Sequence, residues 1–496
     1  MNAKTGKVSL GEKMGYSLGD SAANFVFQLM IIFQLPFYTQ AFGITATAAG
    51  TILLISRFID AFVDPVVGIL SDRTNTRWGK YRPWVLWTAI PFGIFFYLAF
   101  RTPDLAERGK IIYAGITYTL LMSVYSCANT PYSAILGVMS DKIKERTNIS
   151  TIRFGFAMGA AFVVQGLTMP MVFNFGDGTD RSADGWSKAI LVYAVAAAVF
   201  LIIAAISSKE RIKPPQTEKT PVGQDIQDIL KNRPWIAMFV LTLFVFITLA
   251  MWGSAMYYFF NYYLEKDAIF SFLQKFNLVN VAGETHGWWH NILNAFGLIA
   301  LEDKSNVFSV GFSFFNMLGM LVQVLGVLLL SQPLASRFGK RNTFIVCLFL
   351  TVVFTVVIIF VPAKNVATMF WINFFRSLSY APTIPLLWAM MADVADYGEW
   401  KYKRRATGFV FAGVVFGLKA GLGLGGALCG WIIGAFGFDV NEIPDATVLL
   451  GIRLSGSIFP AITFFIGVVV LFTYRITKSF NIQMQAELAE RRKSSQ

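Results

Sequence analysis

The stretch TILLISRFIDAFVDPVVGILSDRTNTRWGKYR, residues 51–82, contains both signals that decide the fold. Its first half is mostly apolar, and about 20 such residues cross roughly 30 Å of hydrocarbon as a helix. A loop rich in arginine and lysine follows, which is typical of the cytoplasmic side of a membrane protein. The stretch therefore indicates a membrane-spanning helix followed by a cytoplasmic loop.

The composition of the whole chain agrees with this local pattern. Apolar residues make up 55% of the 496 positions and charged residues 14%, far below the roughly 25% charged in soluble domains. The apolar runs are continuous, without the alternation of barrel strands, so the spans are predicted to be helices. We expect an all-α membrane protein and no enzyme.

Twelve apolar stretches occur in two sets of six. They are predicted to span the membrane at residues 14–42, 48–70, 84–100, 111–138, 151–173, 189–206, 235–263, 307–330, 344–361, 366–391, 407–436 and 455–474. The polar, proline-containing segment between the two sets reads as a linker.

This pattern predicts an N-terminal six-helix half over 1–206, a cytoplasmic linker over 207–234 and a C-terminal half over 235–496. The second half contains an extracellular insertion at about 264–306. Basic loops alternate with acid-rich loops, so the positive-inside rule places both termini in the cytoplasm of a multi-pass protein of the cell inner membrane.

A faint internal repeat supports two parallel halves. RWGK at Arg77 and RFGK at Arg337 both come six residues after the serine that ends an apolar run, and VMSD at Asp141 corresponds to MMAD at Asp393. Parallel six-helix repeats are the major facilitator arrangement. Positive-inside selection alone is the alternative explanation.

Three charges in the second span are the sharpest functional signal. Arg57, Asp60 and Asp64 are spaced three and four residues apart, so they share one helical face. Each charge costs about 2.5 to 3.5 kcal/mol at the centre of a span, so the group must be paired or line a wet cavity. Arg57 can neutralise one carboxylate; the second is then a candidate to bind a proton or a cation.

Four more charges are predicted within spans: Asp20, which shares a face with Asn24, and Arg153, Arg376 and Lys419. Arg153 can alternatively lie near a helix end and extend to the interface. The sequence has no GxxxxGK[ST] loop, so we expect no ATP-driven transport.

The insertion contains the sequence HGWWHNILNAFGLIAL. His286 and His290 are spaced like metal ligands, but no further ligand is close in sequence. Trp288 and Trp289 favour an amphipathic helix that lies on the outer leaflet or caps the entrance.

Three motifs resemble one known family. They are DPVVGILSDRTNTRWGKYRPW from Asp64, NTPYSAILGVMSDKIKER from Asn129 and MADVADYGEWKYKRRATG from Met391. In combination they resemble the glycoside-pentoside-hexuronide:cation symporters, the group of melibiose permease, within the major facilitator superfamily. The resemblance implies twelve helices, alternating access, and sugar uptake coupled to H⁺, Na⁺ or Li⁺.

The resemblance also implies roles for individual residues. Asp60 and Asp64 match the carboxylates that serve cation coupling, and Arg57 and Lys419 match their charged partners. Arg153 matches an arginine used in sugar binding.

The chain departs from melibiose permease at four positions. Asn24 and Asn129 replace aspartates, and Ser133 replaces a stacking tryptophan, so galactoside specificity is not expected. Val63 replaces an asparagine of the cation site and removes an oxygen that Na⁺ would use. We therefore favour proton coupling over Na⁺.

The predicted sites form three groups. The cation-coupling residues are Asp60, Asp64, Ser126 and Asn129. The substrate-binding residues are Asp20, Asn24, Arg57, Tyr125, Arg153, Arg376, Trp388 and Lys419. The gate residues are Asp72, Arg77, Asp141 and Arg337, for which solvated loop charge is the alternative.

The charges within the spans also bear on the substrate. The predicted cations Arg57, Arg153, Arg376 and Lys419 outnumber the predicted anions by one, which favours a hexuronide over a neutral xyloside or oligosaccharide. Aromatic residues that could stack on a sugar are Tyr38, Tyr125, Tyr132 and Trp388, although packing explains them equally well.

The sequence thus predicts a secondary active symporter that imports a glycoside, pentoside or hexuronide with a proton. No cofactor, metal or nucleic-acid partner is expected, and we expect the protein to act as a monomer. An uncoupled facilitator and a membrane sugar sensor on the same fold are the alternatives.

Overall fold

The structure is a computed structural model that describes residues 8–140, 142–212, 230–280, 287–402 and 407–494. Most of the described chain is α-helical, with isolated β-bridges between Thr76 and Gly79 and between Val279 and Ala300.

The helices are numbered in chain order. They are α1 (Leu10–Ile32), α2 (Gln34–Gln40), α3 (Ala46–Arg73), α4 (Arg82–Leu98), α5 (Glu107–Met139), α6 (Ile143–Phe175), α7 (Ala183–Ser207), α8 (Arg233–Tyr258), α9 (Lys266–Gln274), α10 (Trp288–Ala295), α11 (Val307–Phe338), α12 (Lys340–Val357), α13 (Val366–Tyr380), α14 (Thr383–Tyr402), α15 (Thr407–Ala435), α16 (Ala446–Gly456), α17 (Ile458–Thr473) and α18 (Lys478–Ser494). A π-helical turn, Phe259–Tyr263, extends α8, and a 3₁₀ turn, Ile358–Phe360, extends α12.

The described residues form two compact units. Unit 1 draws on 1–216, 265–317 and 437–443, and unit 2 draws on 217–264, 318–436 and 444–496. The insertion thus groups with unit 1, and the boundary between the units lies inside α11. The predicted limits of the two halves stay predictions, and most of the predicted linker lies outside the described residues.

Unit 1 is built around pairs of packed helices. α1 packs on α6 and α7, and α3 and α4 both pack on α5. Fully buried Trp186 fills one end of this unit, with the rings of Phe33, Phe37 and Phe100 centred 6.1, 5.5 and 6.1 Å from its own. Serine and threonine side chains cap the starts of α1, α3 and α7, which satisfies backbone donors there.

Unit 2 has its core where α8, α12, α14 and α17 meet. Met238, Leu241, Leu348, Met390 and Phe464 are completely buried in it. α8 also packs along α15. Apolar burial and helix packing therefore hold this unit together.

Each predicted span coincides with a helix or a pair of consecutive helices, so the predicted all-α membrane fold is confirmed. Within the described residues, eight helices are long and apolar enough to cross a membrane, or nine if the bent pair α1 and α2 forms one span. α4 and α13 have 17 and 15 residues, somewhat short of the roughly 20 that a perpendicular span needs.

Three spans predicted as continuous are in fact interrupted. The chain bends by 54° between α1 and α2, and it breaks again between α13 and α14 and at Ser457 between α16 and α17. At each break a proline lies within four residues after the end of the preceding helix: Pro36, Pro382 and Pro460. Because proline has no N–H to donate and its ring crowds the preceding turn, it weakens the helix at these points.

The insertion forms the short helices α9 and α10. His290 is 2% exposed, and its Nε2 lies 3.4 Å from the backbone carbonyl oxygen of Val279. Trp288 is 77% exposed, so α10 presents an aromatic side chain outward. His286 lies outside the described residues, and the position of α10 at a membrane surface stays a prediction.

Candidate functional site

The predicted charged face of α3 packs against α5. Asp60 is completely buried, and Ser126 Oγ on α5 donates a hydrogen bond to Asp60 Oδ1 at 2.6 Å. A carboxylate removed from water costs several kcal/mol unless a positive charge or a proton compensates it. A proton or a cation at Asp60 would remove this cost.

Arg57 belongs to the same cluster. Its side chain is buried, its Nη1 lies 3.9 Å from Asp60 Oδ2, and its Nε donates to Tyr118 Oη at 3.2 Å. The ion pair is long, so it compensates the carboxylate only in part. Arg57 was predicted to bind substrate, and the structure places it beside Asp60, one of the predicted coupling residues.

Asp64 lies one turn further along α3 and is half-buried. Thr130 Oγ1 donates to Asp64 Oδ1 at 3.1 Å. Ser126 and Thr130 are four residues apart, as are Asp60 and Asp64, so two hydroxyl–carboxylate pairs follow one another along the α3–α5 contact. Thr130 was not predicted, although this matched spacing was a signal for it.

Two further predicted residues lie on α5. Asn129 is half-buried beside Thr130, and its side chain makes no hydrogen bond within the part of the chain that the structure describes. The ring of Tyr125 stacks on Phe92, with ring centres 6.2 Å apart. Of the four predicted coupling residues, the structure thus joins Asp60 and Ser126 by a hydrogen bond, pairs Asp64 with Thr130, and leaves Asn129 next to Thr130.

A second cluster in unit 1 joins α1, α5 and α6. Arg153 Nε and Nη2 donate to the two oxygens of Asp20 at 2.5 and 3.0 Å, which is a bidentate ion pair. Tyr132 Oη lies 2.8 Å from Asp20 Oδ2, and the guanidinium lies over the rings of Tyr16 and Tyr132 at 5.2 and 5.0 Å. The amide of Asn24 donates to the backbone carbonyl of Asp20 at 2.9 Å.

The cluster also describes the surroundings of Arg153. α6 begins at Ile143, well before the predicted span, so Arg153 lies inside the helix with its charge paired. Tyr16 was not predicted, and only its position one turn before Asp20 pointed to it.

Arg376 lies in unit 2 in a different environment. It is 3% exposed, its guanidinium lies 3.5 Å from the centre of the Trp252 ring, and its Nε donates to Thr355 Oγ1 at 3.2 Å. Its Nη2 has no hydrogen-bond acceptor among the described residues. A cation held by one hydroxyl and one ring face retains much of its capacity to bind an anion.

Lys419 is 7% exposed within α15. Nearby glycines on α15 allow the backbone of α8 to approach closely: a Cβ at Gly425 would lie 2.2 Å from the carbonyl oxygen of Ile247. Trp388 on α14 is 43% exposed, so the structure leaves much of its ring uncovered.

The predicted gate residues form local contacts. Asp72 accepts a hydrogen bond from Tyr81 Oη at 2.7 Å, and burial together with this carboxylate raises the pKa of Tyr81. The guanidinium of Arg337 lies 5.5 Å from the ring centre of Phe338, and Arg77 is exposed. Asp141 lies outside the described residues, so its predicted role stays a prediction.

Glu210 is an anchor that the sequence did not predict. Its carboxylate accepts hydrogen bonds from the backbone N–H groups of Lys80, Tyr81 and Arg82 at 2.9, 2.8 and 3.0 Å. Gly79 has a φ of +117°, and a Cβ there would lie 2.5 Å from this carboxylate. A helix N-terminus favours such an anion.

The two units differ in their intramembrane charges. Unit 1 carries Asp20, Asp60 and Asp64 with Arg57 and Arg153. The helices α8, α12, α13, α15, α16 and α17 of unit 2 contain no Asp or Glu, and the acids of α14 lie near its C-terminal end. Arg376 and Lys419 therefore lie in a purely cationic set of spans.

Known proteins match this chain over almost its full length. The family described as MFS/sugar transport protein matches residues 15–308 and 301–478. The inner membrane symporter YicJ of Escherichia coli (strain K12) is 33% identical over 98% of this chain and 95% of its own. The isoprimeverose transporter of Lactiplantibacillus pentosus is 30% identical over 98% of this chain and 92% of its own.

The fold also occurs in solved structures. A bacterial homolog of the human lysosomal transporter Spinster, in an inward-facing and occupied conformation, superposes with a TM-score of 0.62. That alignment covers 95% of this chain and 97% of the other at 13% identity, so it is informative about the fold alone.

Proposed function

Because the chain belongs to the MFS/sugar transport protein family, as a glycoside-pentoside-hexuronide:cation symporter of the major facilitator superfamily, we propose that it imports an acidic glycoside together with a proton. The family and its relatives make the protein a multi-pass membrane transporter of sugars or glycosides and not an enzyme. The proton and the acidic substrate are our proposal.

The pair of carboxylates on α3 carries the proposal. Asp60 is fully buried with a hydroxyl donor at 2.6 Å and an arginine at 3.9 Å, and Asp64 lies one turn away in a more open position. The two carboxylates lie one helical turn apart on the same face of α3. We assign proton uptake to Asp64, which is reached more easily, with Asp60 as its partner.

The small number of side-chain oxygen ligands near Asp64 favours a proton over Na⁺. Val63, next to Asp64, has no side-chain oxygen to offer a cation. Hard cations need several oxygens at once. Na⁺ remains the alternative, and it would use Asp60, Asp64 and the hydroxyl oxygens of Ser126 and Thr130 as ligands.

Arg376 supports an acidic substrate. Burying an uncompensated guanidinium costs several kcal/mol, and no acid is available in the adjoining spans of unit 2. A substrate carboxylate accepts two parallel hydrogen bonds from a guanidinium and would balance this charge. We therefore propose a hexuronide or similar acidic glycoside, with Arg376 as its anchor.

The Asp20–Arg153 cluster is proposed to bind the sugar hydroxyls. Its carboxylate and guanidinium are 16% and 17% exposed, so both retain a solvent-facing part. Paired carboxylate and guanidinium groups offer acceptors and donors to neighbouring hydroxyls. The adjacent rings of Tyr16 and Tyr132 fix their orientation.

The proposal is tested by proton movement. De-energised cells that express the protein receive a panel of uronides, glycosides and pentosides with and without Na⁺, and external pH is recorded. We expect a pH rise with uronides that is lost in Asp64→Asn. Sugar accumulation that requires Na⁺ without a pH change would replace the proton by Na⁺, and sugar equilibration without either would indicate an uncoupled facilitator. Binding without any flux would indicate a sensor.

A further inference from the structure

A groove opens between two helix ends in unit 2, away from the predicted functional residues. It lies between the start of α8 and the end of α17 and has a volume of about 500 Å³. This volume is within the usual range of about 300 to 1,000 Å³ for small-molecule sites. The principal lining residues are Arg233, Ile236, Val240, Val470, Phe472 and Arg475.

The groove has a cationic end. Arg233 is the first residue of α8, and Arg475 follows the end of α17. Both side chains are exposed, and neither makes a hydrogen bond or ion pair with any residue that the structure describes. The positive end of the α8 dipole disfavours a cation and favours an anion at this position.

The neighbouring Arg341 differs from Arg233 and Arg475 because its side chain is hydrogen-bonded within the protein. Arg341 donates from Nε to the carbonyl of Leu471 at 3.1 Å and from Nη2 to the carbonyl of Phe472 at 3.0 Å. These bonds satisfy carbonyl groups at the end of α17. Arg233 and Arg475 are not needed for that purpose, so their donors stay available to an external anion.

The rest of the groove is apolar. Ile236 is 40% exposed and Phe472 is 62% exposed, with Val240 and Val470 half-buried between them. A soluble anion gains nothing from such a surface. An acyl chain gains both contact and shielding, and both helices that form the groove cross the membrane.

We propose that this groove binds one anionic phospholipid. The phosphate interacts with Arg233 and Arg475, and an acyl chain lies along Ile236, Val240 and Val470. Basic pockets between transmembrane helices on the cytoplasmic side are suited to acidic headgroups, and the positive-inside rule predicts that side here. The site is independent of the transported substrate.

Native mass spectrometry of the full-length protein in mild detergent tests the site. The probes are dioleoyl phosphatidylglycerol and dioleoyl phosphatidylcholine, which share their acyl chains. We expect one phosphatidylglycerol to be retained at concentrations that leave phosphatidylcholine unbound. In Arg233→Gln/Arg475→Gln its affinity should fall by about tenfold or more, the scale of a charge-assisted contact.

A matched control removes the same charge elsewhere. Arg73→Gln/Lys144→Gln loses two positive charges on the same predicted side but outside the groove, and it should keep the bound lipid. Equal retention of both lipids, or equal loss in both double variants, would overturn the site. If inorganic phosphate displaced the lipid, the proposed binding of an acyl chain along the apolar lining would be overturned.

A single variant protects the test against misfolding. Arg475 lies after α17 and makes no side-chain bond to the described residues, so Arg475→Gln should keep the thermal melting of the parent protein. It is expected to lose part of the lipid affinity. Unchanged affinity in this folded variant would remove Arg475 from the site.

Discussion

Units 1 and 2 both bury arginine, but they treat its charge differently. In unit 1, Arg153 has a bidentate carboxylate, and Arg57 has a carboxylate at 3.9 Å. In unit 2, Arg376 has one hydroxyl and one aromatic ring. A paired charge serves the structure whether or not a ligand is present, whereas an uncompensated charge has its best partner in a ligand.

Stability gives the largest expected contrast. Arg153→Met leaves the mostly buried carboxylate of Asp20 without its cation and should lower the free energy of unfolding by about 3 kcal/mol. Arg376→Met removes an uncompensated charge and should leave stability within about 1 kcal/mol of the parent or raise it. Thermal melting in one detergent measures both. A large loss in Arg376→Met would mean that an anion of the protein already balances it.

Coupling gives the next effect. A proton taken up with a uronide anion moves no net charge, so the pH gradient drives accumulation, and one pH unit supplies about 1.4 kcal/mol, or roughly tenfold accumulation. Asp64→Asn should abolish this accumulation while sugar exchange across the membrane continues, because the substrate contacts are intact. Uptake and counterflow in vesicles measure the two activities. Asp184→Asn, which loses an exposed ion pair with Lys188, is the matched control and should keep accumulation.

Substrate charge sharpens the role of Arg376. Arg376→Gln keeps hydrogen-bond donors but loses the charge, so the apparent affinity for a uronide should fall about tenfold while that for the uncharged glycoside changes little. Competition against a labelled substrate measures both. An equal loss for the two sugars would indicate that Arg376 acts through hydroxyl groups or packing, and the acidic substrate would be abandoned.

The smallest expected effects separate the two carboxylates. Ser126→Ala removes the donor of fully buried Asp60 and should cost about 1.5 kcal/mol of stability, whereas Thr130→Ala beside half-buried Asp64 should cost about 0.5 kcal/mol. Melting curves at matched pH compare them. If Thr130→Ala lowers stability more than Ser126→Ala does, the hydrogen bond to Asp64 contributes more to stability than the hydrogen bond to Asp60.

Sequence reasoning found the spans and the charged face of α3 because both depend on local periodicity. It did not find the broken helices, because a proline in the sequence does not by itself show where a helix breaks. Some prolines lie inside intact helices, and others lie next to breaks: Pro65, Pro131 and Pro170 are of the first kind, and Pro36 and Pro382 are of the second. Which proline breaks a helix depends on how neighbouring helices support the freed carbonyl groups.

Pairing between distant helices was also beyond the sequence. Asp20 and Arg153 were both recognised as intramembrane charges, yet their contact spans 133 positions. It depends on the rotation of α1 and α6 about their axes. Thr130 was missed for the same reason, although its spacing from Ser126 matches that of the α3 carboxylates.

The Glu210 carboxylate has a mechanical consequence. It accepts hydrogen bonds from three backbone N–H groups at the start of α4, and the next residue, Arg211, donates from both ends of its guanidinium to Glu12 of α1 at 2.6 and 2.7 Å. Tension applied to the chain beyond Ile212 is therefore delivered to α1 and α4 together. A pulling force on the chain where it leaves unit 1 would therefore move α1 and α4 before it unfolds α7.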